Sequence, residues 1–263
     1  LTDKRHVRRD RADIFATKAE GISGNEALEW GLVDELAPPT EFNDAVGRRA
    51  AVLAATSTRL DGEPASLSPL RISVEQDSIN YTSVSLKLAD THAELTVSVE
   101  RTSDWLLQTA RELDDALCRL RFDFPEIGSL ILRTEGLTED AAALDQELRL
   151  SEDNLQLETA LLWRRCLSRL DLMSKTLVAA IEPGSCFVGV LLELALAADR
   201  TFMLEGRFEE QMVPLAPASI RVTESNLGRL PMWNGLSRLA SRLWGDEDSL
   251  GRISEALNRD LMA

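Results

Sequence analysis

Two glutamates carry the chemistry that this sequence could do. Glu193 is the only charge in the run Leu191 to Ala198, within a stretch that reads EPGSCFVGVLLELALAAD from Glu182 to Asp199. Upstream, KTLVAAI (Lys175 to Ile181) has the continuous apolar character of a buried strand. Gly184 to Gly189 reads as a tight turn, and Leu191 to Ala198 as an apolar helix. The first turn of such a helix leaves backbone N–H groups without intrahelical partners. They can hold an oxyanion, with a desolvated Glu193 beside them as acid or base. The alternative is that local hydrogen bonds hold Glu193 in the core, as they commonly do for buried carboxylates. Glu224 lies thirty-one residues further on, in TESNLGRLPMWNGLSRL (Thr223 to Leu239). Two carboxylates whose surroundings push their pKa values apart supply both an acid and a base.

Other chemistries have little to work with. Cys118, Cys166 and Cys186 are odd in number, widely spaced and set among apolar residues, the pattern of buried thiols in a reducing compartment, so a cytoplasmic location is expected. Cys186 in GSCFVG stands where a nucleophile could. The only histidines, His6 and His92, read as belonging to a basic helix and a hairpin turn, so no Cys–His pair, zinc ligand set or Ser–His–Asp triad is expected. A net charge of −15 disfavours nonspecific binding to nucleic acid or to an anionic membrane, and no apolar run reaches the ~20 residues of a span. Lys4, Arg5, His6, Arg8, Arg9 and Arg11 form the one dense basic cluster. It reads as an acid-paired or solvated helix face before it reads as an anion site.

The stretches around both glutamates resemble the crotonase (enoyl-CoA hydratase/isomerase) superfamily. Its members have a strand of the type K-x-x-x-A-A-I, a glycine-containing turn and then E-L-A-L-A-x-D, matched here by KTLVAAI, EPGSCFVGVL and LELALAAD. A second superfamily motif, P-E-x-x-x-G-x-x-P-x-x-G-x-x-x-x-L, is matched by Thr223 to Leu239, with Glu224, Gly228, Pro231 and Gly235 in register. The resemblance implies that Glu193 and Glu224 are catalytic and that the Val190 N–H is half of an oxyanion hole. The chain also departs from the pattern. Gly189-Val190-Leu191 replaces a run of three glycines, so the branched Val190 crowds the place where a thioester carbonyl would approach. After GSLILRTEG (Gly128 to Gly136), the motif that supplies the other oxyanion donor is absent from LTEDAAALDQ.

The opening residues carry the same likeness. Gly21 to Leu36, GISGNEALEWGLVDEL, resembles the segment that follows the catalytic core in the superfamily. The expectation is therefore a helical C-terminal remnant of a first crotonase-like unit at 1–57, a linker at 58–69, and a second, truncated unit at 70–263. LSRLASRLWGDEDSLGRISEALNRDLMA, at the end of the chain, would then align with the chain's beginning as an internal repeat. LTDKRHVRRDRADIF, SVEQDSINYTSVSLKLAD, IEPGSCF and PMWNGL resemble a two-unit branch of the superfamily that opens the ring of an epoxidised (dihydrodiol) benzoyl-CoA by hydrolysis, with loss of formate. The branch implies a benzoyl-CoA-derived thioester as substrate, no metal, flavin or nicotinamide cofactor, and a homo-oligomer, a dimer. The alternatives are another acyl-CoA hydratase or isomerase, or a unit that keeps the fold only for packing and dimerisation.

The elements that must position these residues are legible in outline. Residues 8–56 read as helices broken at Gly21, Gly31 and Pro38-Pro39. Val84, Leu86 and Leu88 alternate, as do Leu95, Val97 and Val99, giving two strands joined by a turn. Ser103 and Asp104 are placed to cap a helix from Trp105 to Arg121 whose stripe is Leu106, Ala110, Leu113, Leu117 and Leu120. A strand at Ser129 to Arg133 and one long helix from Leu144 to Leu172 follow. Alternating strands and helices predict an α/β protein, and the resemblance specifies a crotonase-like spiral of ββα units.

Overall fold

The computed structural model describes residues 1–57, 65–150, 153–206 and 217–262. The chain divides into two compact units, Leu1–Leu60 and Asp61–Ala263. Most of the linker expected at 58–69, residues 58–64, lies outside the described residues.

The first unit is helical: α1 (Thr2–Arg5), α2 (Arg9–Thr17), α3 (Gly24–Glu29) and α4 (Phe42–Ala55). The Ser23 hydroxyl caps α3 by accepting the Glu26 N–H. The basic cluster is acid-paired, as its composition suggested. Arg5 binds Asp34 at 3.0 Å, Arg9 binds Asp13 at 3.2 Å and Arg11 binds Glu29 at 2.8 Å, while the Arg11 guanidinium lies 5.5 Å from the centre of the Trp30 ring.

The second unit is built on a seven-stranded sheet. An antiparallel meander, β1 (Ser73–Val74), β2 (Ser78–Asn80), β3 (Val84–Leu88) and β4 (His92–Ser98), leads into a parallel half in which β4, β5 (Ser129–Glu135), β6 (Thr176–Ile181) and β8 (Arg200–Met203) lie side by side. Leu130, Leu132 and Thr134 of β5 and Leu177, Ala179 and Ile181 of β6 alternate into the core, because successive side chains of a strand point to opposite faces. Two long helices, α5 (Trp105–Phe122) and α7 (Asn154–Asp171), pack together. The Trp163 indole donates to the Leu106 carbonyl at 3.0 Å and its ring stacks on Trp105 with centroids 6.2 Å apart. The apolar stripe predicted for α5 is buried at every one of its five positions.

A small second sheet holds β7 (Phe187–Val188), β9 (Ser219–Arg221) and β10 (Asp260–Met262) in the order β10-β9-β7. Two successive stretches follow one plan: a strand in the large sheet, a strand in the small sheet, then a helical segment. They are β6-β7-α8 (Leu192–Ala197) and β8-β9 followed by a 3-10 turn (Glu224–Leu227) and α9 (Arg238–Arg242). The protein is thus α/β with a parallel-rich sheet, and the ββα order is present.

Three local expectations are corrected. Gly184 to Gly189 is not wholly turn, because Phe187 and Val188 pair with Ile220 and Arg221; a two-residue strand with so distant a partner leaves no periodic trace. The helix expected from Leu144 to Leu172 is two, α6 (Thr138–Leu150) and α7, and the Asp153 side chain caps α7 by accepting from the Leu155 and Gln156 N–H groups. Asp104 holds the N-cap position of α5 without a side-chain hydrogen bond. The remaining helix is α10 (Glu247–Glu255). No helix among the described residues is long and apolar enough to cross a membrane.

Candidate active site

The site is made by two turns and one helix. After β6 the chain turns at Glu182 to Ser185, passes through β7 and reaches Gly189, whose φ of 51° is in the left-handed region. The Gly189 N–H bonds back to the Arg221 carbonyl of β9, so the turn ahead of α8 is fastened to the second sheet. The Val190 N–H then points at α6, where the Asp145 Oδ1 atom accepts it at 2.8 Å. The oxyanion donor implied by the sequence is therefore bonded to a carboxylate of the chain itself. Val190 is 1% exposed.

The second turn follows β9. The Thr223 hydroxyl donates to Asp145 Oδ2 at 2.8 Å and accepts the Ser225 N–H, and the Asn226 side-chain Oδ1 atom accepts the Thr223 N–H at 3.0 Å. This is a reciprocal cap on the 3-10 turn that carries Glu224. The Asn226 amide nitrogen donates to the Gly189 carbonyl at 2.9 Å and to Glu193 Oε1 at 2.7 Å. Glu193 Oε2 accepts from Arg238 at 2.9 Å. Arg238 also grips both oxygens of Asp171, at 2.9 and 2.7 Å, and donates to the Leu230 carbonyl. A polar chain thus runs from Asp145 through Thr223, Asn226, Glu193 and Arg238 to Asp171.

Glu193 is 1% exposed and both of its oxygens are engaged. Burial pushes its carboxyl above the ordinary glutamate value, while Asn226 and Arg238 pull it back. Glu224 differs: its side chain is 42% exposed, Asn258 donates to it at 3.1 Å, and Arg149 stands 3.5 Å away. Its own N–H, followed by Asn258 and Arg149, holds its carboxyl below the usual range against the opposing effect of burial. A cavity of about 380 Å³ opens here, lined by Glu224, Arg149, Asp145, Thr223, Arg221 and Glu139 among others. Arg221 is itself bonded to Glu139 and Asp260.

The structure thus joins Val190 and the Glu224 turn through Asp145, and joins Glu193 to the same turn through Asn226. No hydrogen bond links the two glutamates among the described residues. Asp145, Thr223, Asn226, Arg238 and Asp171 were not singled out in the sequence. One of them left a signal: Asp145 shares the face of α6 that buries Ala141, Leu144 and Leu148, where a carboxylate is out of place. Cys186 is buried, and burial pushes its thiol up to about 11, far from a thiolate nucleophile. Among the described residues no cluster of histidine, cysteine or acidic side chains could hold a metal ion.

No protein-family model matches the chain. Solved structures similar to it include an enoyl-CoA hydratase from Geobacillus kaustophilus HTA426, 20% identical, with 74% of this chain and 66% of that one covered and a TM-score of 0.45. Another is an enoyl-CoA hydratase from Bacillus halodurans, 15% identical, with 69% and 68% covered and a TM-score of 0.45. Over 96% of its length the chain is similar to the benzoyl-CoA-dihydrodiol lyase of Aromatoleum evansii, 38% identical across 271 residues, and it spans 48% of that protein.

Proposed function

We propose that the protein carrying this chain opens the ring of an epoxidised (dihydrodiol) benzoyl-CoA thioester by hydrolysis, with release of formate, in aerobic benzoate degradation. The observation that carries this reading is the 38% identity with benzoyl-CoA-dihydrodiol lyase across nearly the whole chain. Such a reaction needs an activated water and proton transfer beside a polarised thioester, work that carboxylates and backbone N–H groups perform without a metal or redox cofactor. The protein works in the cytoplasm as a homodimer, and residues 1–57 are the helical end of a first crotonase-like unit.

Residues 70–263, the second unit, keep the fold for packing and dimerisation, and the chemistry falls to the part of the protein beyond this chain. Two features favour that division: the Val190 N–H is engaged by Asp145, and Glu193 is closed between Asn226 and Arg238. Under the opposite assignment, Val190 polarises the thioester while Glu193 and Glu224 handle protons. Substitution of either glutamate decides between them.

The direct test is formate release from epoxidised benzoyl-CoA by the whole protein, without added metal, flavin or nicotinamide. Turnover is expected to persist with a chelator present; its complete loss would contradict the reading. Hydration of a 2-enoyl-CoA without formate release would move the protein to the hydratase alternative. For the boundary, limited proteolysis is expected to cut between Thr58 and Pro69 before any site within 80–200, because that segment combines glycine, proline and serine.

A further inference from the structure

Asp145 is the carboxylate on which both turns of the site converge, and it is 1% exposed. One oxygen accepts the Val190 N–H and the other the Thr223 hydroxyl, each at 2.8 Å, and no arginine or lysine forms a salt bridge to it among the described residues. Gly189 is fitted to the same group. A Cβ there would stand 2.1 Å from Asp145 Cγ, so any larger residue would collide with the carboxylate, quite apart from the positive φ. Charged groups are expensive to bury unless hydrogen-bonded, and here hydroxyls and a backbone N–H supply most of the compensation, with the Arg149 charge the smallest contributor. These are the surroundings of a bound anion. Burial accordingly pushes the Asp145 carboxyl up, and the Thr223 and Ser225 hydroxyls, followed by the Val190 N–H, pull it back.

We infer that the Val190 N–H and the Thr223 hydroxyl form a carboxylate-binding cradle that the chain fills with its own Asp145. The unit is thereby closed to a thioester oxygen at Val190, and it takes up a small free carboxylate, such as formate or acetate, once the Asp145 side chain is removed. Asp145 and Thr223 both line the cavity of about 380 Å³, which gives a free anion its route to the cradle, with Arg149 on the same wall. The inference deepens the reading of this unit as one without chemistry, and it rests on that reading only for its turnover arm.

The test is thermal unfolding of the whole protein and its Asp145→Ala and Asp145→Asn variants in sodium formate, sodium acetate or sodium chloride at matched ionic strength. Asp145→Ala is expected to melt below the parent and to regain about 4 °C or more, saturably, in formate or acetate but not in chloride. Asp145→Asn keeps an oxygen for the Val190 N–H and fills the space, so it is expected to show no such recovery. Should Asp145→Ala fail to fold, its refolding yield becomes the readout, and rescue by formate or acetate over chloride is the expected result. Equal responses of Asp145→Ala to formate, acetate and chloride, in melting or in refolding, overturn the cradle. Formate release from epoxidised benzoyl-CoA is assayed separately, without added carboxylate. Normal turnover alongside a failed cradle leaves the proposed function standing, whereas a formate-responsive Asp145→Ala protein with lost turnover overturns the closure of this unit.

Discussion

Glu193 and Glu224 are the same residue type in two opposite settings. Glu193 sits at 1% exposure with an amide on one oxygen and a guanidinium on the other, and that guanidinium is held in turn by Asp171. Glu224 is partly in solvent on the wall of a cavity, with one hydrogen bond to Asn258 and Arg149 at the looser distance of 3.5 Å. A matching motif therefore does not make the two equivalent. A buried carboxylate with a partner on each oxygen is costly to use for proton transfer, because the transfer would break the network that keeps it buried. Glu224 has a half-exposed side chain and an Oε2 atom that accepts no hydrogen bond, so it can meet a ligand without breaking such a network.

The contrast can be broken most forcefully at Arg238. Arg238→Ala leaves Glu193 and Asp171 without their shared cation, and a loss of about 3 to 5 kcal/mol is expected in chemical denaturation. A loss under about 1 kcal/mol would show that the Glu193 environment does not depend on the pair. Glu193→Gln is the milder cut: about 1 to 3 kcal/mol of stability, with turnover of the whole protein kept within a few-fold. If the folded variant instead loses about 10²- to 10⁴-fold in turnover, Glu193 is an acid–base group and the sealed setting has been misread.

Glu224→Gln is expected to change stability by no more than about 0.5 kcal/mol and to leave turnover within a few-fold. A large fall in turnover at unchanged melting temperature would move the chemistry into the cavity beside Arg149. The smallest effect sharpens the comparison through salt. The stability difference between parent and Glu224→Gln is expected to vanish at about 1 M sodium chloride, where the Debye length is about 3 Å, while the Glu193→Gln difference persists. Equal salt sensitivity of the two variants would mean that both carboxylates feel solvent alike.

How much of this was legible depended on sequence distance. The α5 stripe, the alternation of β3 and β4, the strand Thr176–Ile181 and the apolar helix after it were all readable, since each is set by neighbours within a few residues. The split between α6 and α7 was missed because polar residues on both sides continue the helical composition; only Asp153, a cap residue, marks the restart. β7 was missed because two residues cannot display a period.

By itself the sequence determined the α/β order of elements, the two glutamate motifs and the apolar setting of Glu193, all properties of short stretches whose periodicity and composition fix their local structure. Only the tertiary structure decided what each polar group meets. The Val190 N–H finds its acceptor 45 residues earlier, Arg238 reaches Glu193 across 45 residues and Asp171 across 67, and Thr223 meets Asp145 across 78. No periodicity relates positions so far apart. Burial removes water as a partner, so Glu193 and Asp145 depend on whatever the packing of β6, α6, α7 and the two turns brings against them. That requirement separated a sealed Glu193 from an open Glu224 and set Asp145 on the Val190 N–H.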